Sequence, residues 1–277
     1  MNPLGPATLI VLLQLVGGDF TTTVRPGASL TSIAARSGSN IRVIGEANGL
    51  KPPYNLHSGQ TLKINNRHIV PDLEGTEIVV NIPQQMLFRA GSDGVVQGYP
   101  IAAGKSSWKT PTGKFTVVTM EKDPTWDVPL SIQEEMRREG KPVQTRVPPS
   151  PENPLGAFWI GLSMPSIGIH GTNAPASVYD LATHGCIRLH PDDIKALFSQ
   201  VAIGTKGRII YEPVLITQSM NSIFLEAHSD PYQQGSLSFD QVRELARSGG
   251  YLEAVDLTAV QEVLRRRDGI AHNVTRR

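Results

Sequence analysis

Residues 182–189 read Ala-Thr-His-Gly-Cys-Ile-Arg-Leu and contain the only cysteine of the chain, Cys186. Sixteen residues upstream, His170 lies in the segment Ile-His-Gly-Thr of residues 169–172. A thiol becomes an effective nucleophile when a neighbouring imidazole removes its proton. Gly185 allows an acyl group to approach the backbone closely, so that nearby N–H groups can stabilise an oxyanion. The two segments therefore predict a nucleophile, Cys186, with His170 as its base.

Other roles for these residues remain open at this point. Cys186 can be a buried apolar residue, His170 and His184 can be structural, and Arg188 can belong to an ion pair. The set His170, His184, Cys186 and His190 also offers four zinc ligands. Zinc sites favour pairs of cysteines, or histidines paired on a helix, and neither pattern is present. We therefore expect no metal and no cofactor.

Composition excludes several classes of protein. The 277 residues carry 26 Lys and Arg against 25 Asp and Glu, a net charge of +1. Without a long basic block, the chain gives no support for nucleic-acid binding. One cysteine also excludes a disulfide-rich scaffold.

The N-terminus bears on localisation. Residues 1–18 are interpreted as a possible signal segment, because the apolar run 7–16 is too short to span a membrane. No Lys or Arg precedes that run, which departs from the usual signal peptide, and a hydrophobic tail is the alternative. We expect an exported protein of the periplasm or cell envelope with no stable membrane span after processing.

Residues 22–67 are predicted to form a small βααβ unit. Ser29 is a candidate N-cap of the first helix, a second helix fits 40–47, and a strand fits 61–64. The unit resembles the LysM module, although Ala28 and Ser29 stand where that family usually has Asp-Thr. The matching positions are Val24, Gly27, Leu30, Ile33, Ala34, Asn48, Gly49, Gly59, Gln60 and Leu62. The resemblance implies binding of N-acetylglucosamine glycans such as peptidoglycan; a packing unit without sugar affinity is the alternative.

The rest of the chain is predicted to be mainly β, with minor helices. Residues 75–213 form a β-rich body, and residues 214–277 form a helical extension with two amphipathic helices. Within the body, strands are expected at 77–82, 95–101, 113–118, 158–162 and 208–211, and helices at 131–139 and 191–201. Ser131 and Glu134 fit a capping box for the first of these helices. The segment 121–154 around it is either a wall of a substrate cleft or a surface excursion.

The β-rich body resembles the YkuD-type L,D-transpeptidase catalytic domain. The resemblance rests on Ile-His-Gly-Thr at 169–172 and Thr-His-Gly-Cys-Ile-Arg at 183–188, with supporting stretches at 110–115, 124–126 and 153–156. Tyr179 and Asp180 depart from the family, which commonly has a Gly-containing stretch there.

The resemblance implies that Cys186 attacks a peptidoglycan stem tetrapeptide, releasing D-alanine and leaving a thioester that an amine then attacks. Implied catalytic residues are Cys186, His170, Gly171, His184 and Gly185, with the Gly171 carbonyl orienting His170. Implied substrate-binding residues are Arg188, Thr183, Trp126 and Thr172.

The expected partners are peptidoglycan stem peptides and glycan strands, with an envelope protein as a further acyl acceptor. The sequence is also compatible with two alternatives: a hydrolase of the same architecture, and a non-catalytic wall-binding protein. An intact Cys186 and His170 argue against a non-catalytic protein.

Overall fold

The structure is a computed structural model that describes residues 15–235 and 237–277. Residues 1–14 of the predicted N-terminal segment lie outside the described residues. Leu15–Val16 forms strand β1, which pairs with the linker strand that follows the N-terminal unit. No helix among the described residues has the length and apolar character needed to cross a membrane.

The N-terminal unit has the predicted βααβ order. Its elements are β2 (Asp19–Thr23), α1 (Leu30–Ser37), α2 (Ile41–Ala47), β3 (Thr61–Asn65) and the linker strand β4 (His68–Ile69). The Ser29 side chain accepts the Ser32 N–H, which confirms Ser29 as the cap of α1. Buried Val24, Leu30 and Ile44 pack with β3 in a small core of their own.

The central body is built mainly from strands, as the sequence predicts. Its elements are β5 (Ile78–Asn81), β6 (Met86–Ala90), β7 (Val96–Gly104), β8 (Gly113–Lys122), β9 (Trp126–Asp127), α3 (Leu130–Arg138), β10 (Arg146–Val147), β11 (Phe158–Leu162), β12 (Gly168–His170), β13 (Leu181–Thr183), β14 (Ile187–Leu189), α4 (Pro191–Phe198) and β15 (Lys206–Ile210).

The main sheet of the central body curls on itself and closes; we call it the barrel. Its strand order is β13-β7-β14-β12-β11-β8-β15-β5-β6, and β6 pairs again with β7. Strand β7 closes the sheet because its first half, to Pro100, pairs with β6, and Ile101–Ala102 pair with β14. Strand β5 is buried throughout: Ile78 and Val80 face the main core, and Val79 faces a second cluster with Val70 of the linker. Burial on both faces explains why this strand reads as a continuous apolar run.

The segment between β8 and β11 holds helix α3 and the short ribbon of β9 and β10. The capping box predicted from Ser131 and Glu134 is wrong. Helix α3 begins at Leu130 with Pro129 at the N-cap and no side-chain cap, because proline before Leu130 already sets the extended entry to the helix.

The C-terminal segment contains more than the predicted helices. Helices α5 (Phe239–Ser248) and α6 (Leu257–Arg266) are present, but they pack on a three-stranded sheet of β16 (Val214–Ser219), β17 (Ser222–Ala227) and β18 (His272–Asn273). Val214, Leu225, Val242 and Val260 are among the residues of its separate core. The extension is therefore a small α+β unit, and the sequence analysis missed its hairpin.

Candidate active site

Two neighbouring strands bring the predicted nucleophile and base together. Strand β12 runs parallel to β14, with His170 opposite Arg188. Cys186 comes two residues before Arg188, and side chains alternate between the faces of a strand. Cys186, Arg188 and His170 therefore point to one side, and all three line a cleft of about 720 Å³.

His170 is held in one tautomer. Its Nδ1 lies 2.6 Å from the Gly171 carbonyl oxygen, which only accepts, so Nδ1 carries the proton and Nε2 keeps its lone pair. The ring stacks on Trp159 with centroids 6.1 Å apart. Trp159 lies flat over β12 because Gly168 has no side chain: a Cβ there would be 2.2 Å from the indole ring.

Both reactive groups are neutral at rest. Burial, followed by the positive charge of Arg188, lowers the pKa of His170 to about 3, against the opposing effect of the Gly171 carbonyl. Burial raises the pKa of the Cys186 thiol, although the Gly168 backbone and Arg188 act in the other direction. The thiol donates to the Ser166 carbonyl at 3.5 Å. Both shifts favour a protonated thiol beside an unprotonated imidazole.

The loop before Cys186 is braced by Thr183. The Thr183 hydroxyl donates to the Cys186 carbonyl at 2.6 Å and accepts the Gly185 N–H at 3.2 Å. The Gly185 carbonyl in turn accepts from Thr110 Oγ1 at 2.9 Å. Gly185 N–H is thus already engaged, whereas the Cys186 N–H has no acceptor among the described residues. Of these two amides, that of Cys186 is the one available to an oxyanion.

His184 points to the helix of the inserted segment. Its Nε2 is hydrogen-bonded to Glu135 of α3, and that bond lowers the pKa of the Glu135 carboxyl. Lys105 Nζ contacts the other carboxylate oxygen at 3.3 Å. The Trp108 ring meets the imidazole edge-on, 5.1 Å between centroids. The inserted segment is therefore a wall of the cleft, tied to the nucleophile loop through Glu135.

The four residues predicted to bind substrate lie in different surroundings. Arg188 and Trp126 line the cleft, and Arg188 Nη1 donates to Ser177 Oγ at 2.8 Å. Thr183 also lines it, but its hydroxyl is used within the loop. Thr172 is buried outside the cleft lining, where its hydroxyl accepts the Ala174 N–H. The hydroxyls of Thr172 and Thr183 are thus used within turns, and Arg188 is the charged member of the predicted set that lines the cleft, which also contains the carboxylates of Glu121 and Asp127.

Sequence reasoning missed two residues of the cleft wall, Trp108 and Trp159, and also Glu135, which is hydrogen-bonded to the cleft residue His184. None of the three has a motif of its own, although Trp159 stood within a predicted strand and Glu135 within a predicted helix. All three tryptophans of the chain, Trp108, Trp126 and Trp159, contact the cleft. The cleft thus combines a largely apolar, aromatic lining with a few polar groups, as is usual for ligand-binding clefts.

The four candidate zinc ligands do not gather into a metal-binding group within residues 15–235 and 237–277. His190 caps α4 by accepting the Asp192 N–H at 3.3 Å. One other group, His68, Glu226 and His228, has ligand atoms within 4.8 Å of one another. Both of these histidines are hydrogen-bonded to the same Glu226 oxygen, at 2.8 and 2.7 Å, so protons already link them.

Comparison with known proteins places the chain in a family. The L,D-transpeptidase catalytic domain of the YkuD type matches residues 75–216, and the LysM domain matches residues 22–65. The probable L,D-transpeptidase ErfK/SrfK of Salmonella typhimurium is 34% identical over 95% of this chain and 88% of its own length. The probable L,D-transpeptidase YcfS of Escherichia coli is 34% identical over 78% of this chain and 69% of its own.

A solved structure is also similar. The catalytic domain of an E. faecium L,D-transpeptidase acylated by ertapenem is 23% identical, with a TM-score of 0.38, over 50% of this chain and 100% of that one. The sequence matches carry the assignment: the chain belongs to the L,D-transpeptidase family and has a LysM domain in front of its YkuD-type catalytic domain.

Proposed function

We propose that Cys186 is the nucleophile of a peptidoglycan L,D-transpeptidase and that His170 is its base. The observation that carries the proposal is the unprotonated Nε2 of His170 in the same cleft as the only thiol, with Nδ1–H held by Gly171. The family match supports the reaction class. The substrate is a stem tetrapeptide whose diamino acid precedes a terminal D-alanine.

In the first half-reaction, Cys186 Sγ attacks the carbonyl carbon of the diamino acid while His170 Nε2 takes the thiol proton. The Cys186 N–H stabilises the oxyanion, and a single donor of this kind contributes about 3–4 kcal/mol in other enzymes. The C–N bond then breaks, and D-alanine leaves with the proton from His170. A thioester remains on Cys186.

Arg188 links substrate binding to the basicity of His170. Burial is the largest cause of the low pKa of His170, and the positive charge of Arg188 is the second. A donor carboxylate paired with the Arg188 guanidinium would offset that charge. Such pairing would move the pKa of His170 back toward its ordinary value, while the larger effect of burial remains, and this change favours proton transfer at the moment of attack.

In the second half-reaction an amine attacks the thioester and His170 takes the amine proton. The C–S bond then breaks, and His170 returns the proton to Cys186 Sγ, which restores the thiol. The acceptor is a second stem peptide, giving a 3→3 cross-link, or the side-chain amine of an envelope protein. The aromatic side chains of Trp108, Trp126 and Trp159 line the cleft and offer apolar surface to an acceptor peptide. The LysM domain would hold the enzyme on glycan strands of the cell envelope or periplasm.

Intact-protein mass spectrometry with a disaccharide-tetrapeptide tests this proposal. We expect an adduct on Cys186, loss of D-alanine, and a dimer or conjugate when an amine acceptor is added. Because Cys186 is the only cysteine, the Cys186→Ala protein should form no thioester, whereas a mass shift on it would refute the assignment. Tripeptide as the only product would identify a carboxypeptidase instead, and an inert wild-type protein would favour a wall-binding role.

A further inference from the structure

The LysM domain contacts the segment between the two catalytic motifs. Helix α1 packs against a 3-10 turn, Pro175–Ser177, in the connection from β12 to β13. The turn is attached to the barrel just beyond, where Val178 is buried and the Tyr179 N–H donates to the Ile101 carbonyl at 3.0 Å. The turn thus lies between the LysM helix and the barrel.

Ser177 in that turn holds the cleft arginine. Its hydroxyl donates to the Ala174 carbonyl at 2.5 Å, which directs an oxygen lone pair toward Arg188 Nη1 at 2.8 Å. Arg188 Nε is buried and has no partner among the described residues. Ser177 therefore fixes one end of a guanidinium that is otherwise left for a ligand.

Helix α1 is fastened near its C-terminal end. The Arg36 guanidinium contacts both carboxylate oxygens of Asp193 on α4 at 2.9 Å. Gly38, the left-handed C-cap, lies against the barrel so closely that a Cβ would be 3.0 Å from Pro100. Its carbonyl accepts from His68 Nε2 at 2.8 Å. These contacts hold the LysM domain against the catalytic domain.

We propose that the LysM domain takes part in positioning the active site: α1 supports the Pro175–Ser177 turn, and Ser177 sets Arg188 for the donor's terminal carboxylate. This inference rests on the proposed function, because it concerns the donor of that reaction. Ser177 and Arg36 are positioning residues, since each acts through Arg188 and neither contacts reacting atoms. The structure thereby couples a glycan-binding module to donor recognition.

The test measures acylation of Cys186 in the full-length protein, with tetrapeptide donors ending in a carboxylate or a carboxamide. Ser177→Ala removes the acceptor of Arg188 and should lower kcat/KM for the carboxylate donor roughly tenfold. It should change the carboxamide donor little. Ser177→Thr keeps the hydroxyl and should restore the preference.

Arg36→Gln tests the contribution of α1. We expect a loss of about three- to tenfold with the carboxylate donor, in line with typical coupling through packed elements. The double variant with Ser177→Ala should lose no more than Ser177→Ala alone, because both changes act on one guanidinium. Arg42→Gln is the matched control: it removes an ion pair with Glu46 and a hydrogen bond to the Arg266 carbonyl, both at 3.1 Å, and neither partner belongs to the turn.

Amide hydrogen exchange of residues 171–181 gives a second readout that needs no activity. Arg36→Gln should speed exchange there and Arg42→Gln should not. If the wild-type protein is acylated but both Ser177→Ala and Arg36→Gln keep its rate and carboxylate preference, the inference is wrong and the proposed function stands. If the wild-type protein is not acylated, the proposed function fails. Unchanged hydrogen exchange in Arg36→Gln would independently show that α1 does not support the Pro175–Ser177 turn.

Discussion

Replacing Glu226 by glutamine tests the junction at which the three parts of the chain meet. The carboxylate of Glu226 on β17 is fully buried. It accepts the Ile69 N–H at 2.6 Å, Gln84 Nε2 at 3.0 Å, and the rings of His68 at 2.8 Å and His228 at 2.7 Å. Linker, barrel and C-terminal unit therefore all donate to one side chain.

The geometry makes His68 and Glu226 an ion pair. His68 Nδ1 faces the carboxylate and Nε2 faces the Gly38 carbonyl, and both groups only accept, so both nitrogens carry protons. Burial opposes this charge, but the attraction and hydrogen bond of Glu226 raise the pKa of His68. Burial also opposes the charge of Glu226, but His68 and His228 lower the pKa of Glu226 to about 2.

The magnitude follows from what glutamine cannot do. The amide nitrogen of glutamine is itself a donor. One of the four groups that donate to Glu226 would therefore face another donor, which costs about 1–3 kcal/mol. His68 then loses its counterion and, as a neutral ring, leaves one of its two acceptors unpaired for about 1–3 kcal/mol more. We expect Glu226→Gln to lower the free energy of unfolding by about 3–5 kcal/mol, as for other broken buried pairs.

Urea unfolding followed by circular dichroism measures this difference. Glu262→Gln is the control, because the ion pair of Glu262 with Arg265 is exposed to solvent and should contribute far less to stability than the buried pair. The stability from His68 is present below pH 6.5, its ordinary pKa, and is lost as the pH rises through its raised pKa. The stability that Glu226 contributes is present above pH 4.5, its ordinary pKa, and is lost as the pH falls toward its lowered pKa of about 2.

The difference between wild type and Glu226→Gln should therefore be largest between pH 4.5 and 6.5, where both members of the pair are charged. Two results would refute the reasoning: a difference no larger than that of the Glu262→Gln control, or a large difference that does not change with pH.

Three further predictions concern the cleft. A carbapenem should add one inhibitor mass to Cys186, and recovery of the adduct on another residue would contradict the site. Glu135→Ala removes the bond from α3 to the nucleophile loop and should slow acylation about tenfold, whereas Glu139→Ala, next to α3 and paired with an exposed lysine, should not. Gly168→Ala places a Cβ 2.2 Å from the Trp159 ring. The clash should lower the free energy of unfolding by about 1–3 kcal/mol and shift the tryptophan fluorescence. A variant with wild-type stability and spectrum would show that Gly168 does not confine the ring.

Local sequence carried much of the architecture. Ser29 predicted the start of α1, and apolar runs bounded by Gly and Pro predicted the strands of the barrel, because caps and strand periodicity are encoded within a few residues. The same reasoning failed at Ser131, where Pro129 sets the helix start instead. It also missed the hairpin of β16 and β17, whose buried side chains share one core with those of α5 and α6.

By itself, the sequence determined the family and the pair of candidate reactive groups, because Cys186, His170 and their glycines stand in two short motifs. Only the tertiary structure decided how those groups are arranged. It engages the Gly185 N–H with Thr183, brings Glu135 to His184 across 49 positions, and joins His68 to Glu226 across 158. The two long-range contacts leave no periodic or neighbouring signal in the chain, since they depend on strand register and on the docking of separately packed cores.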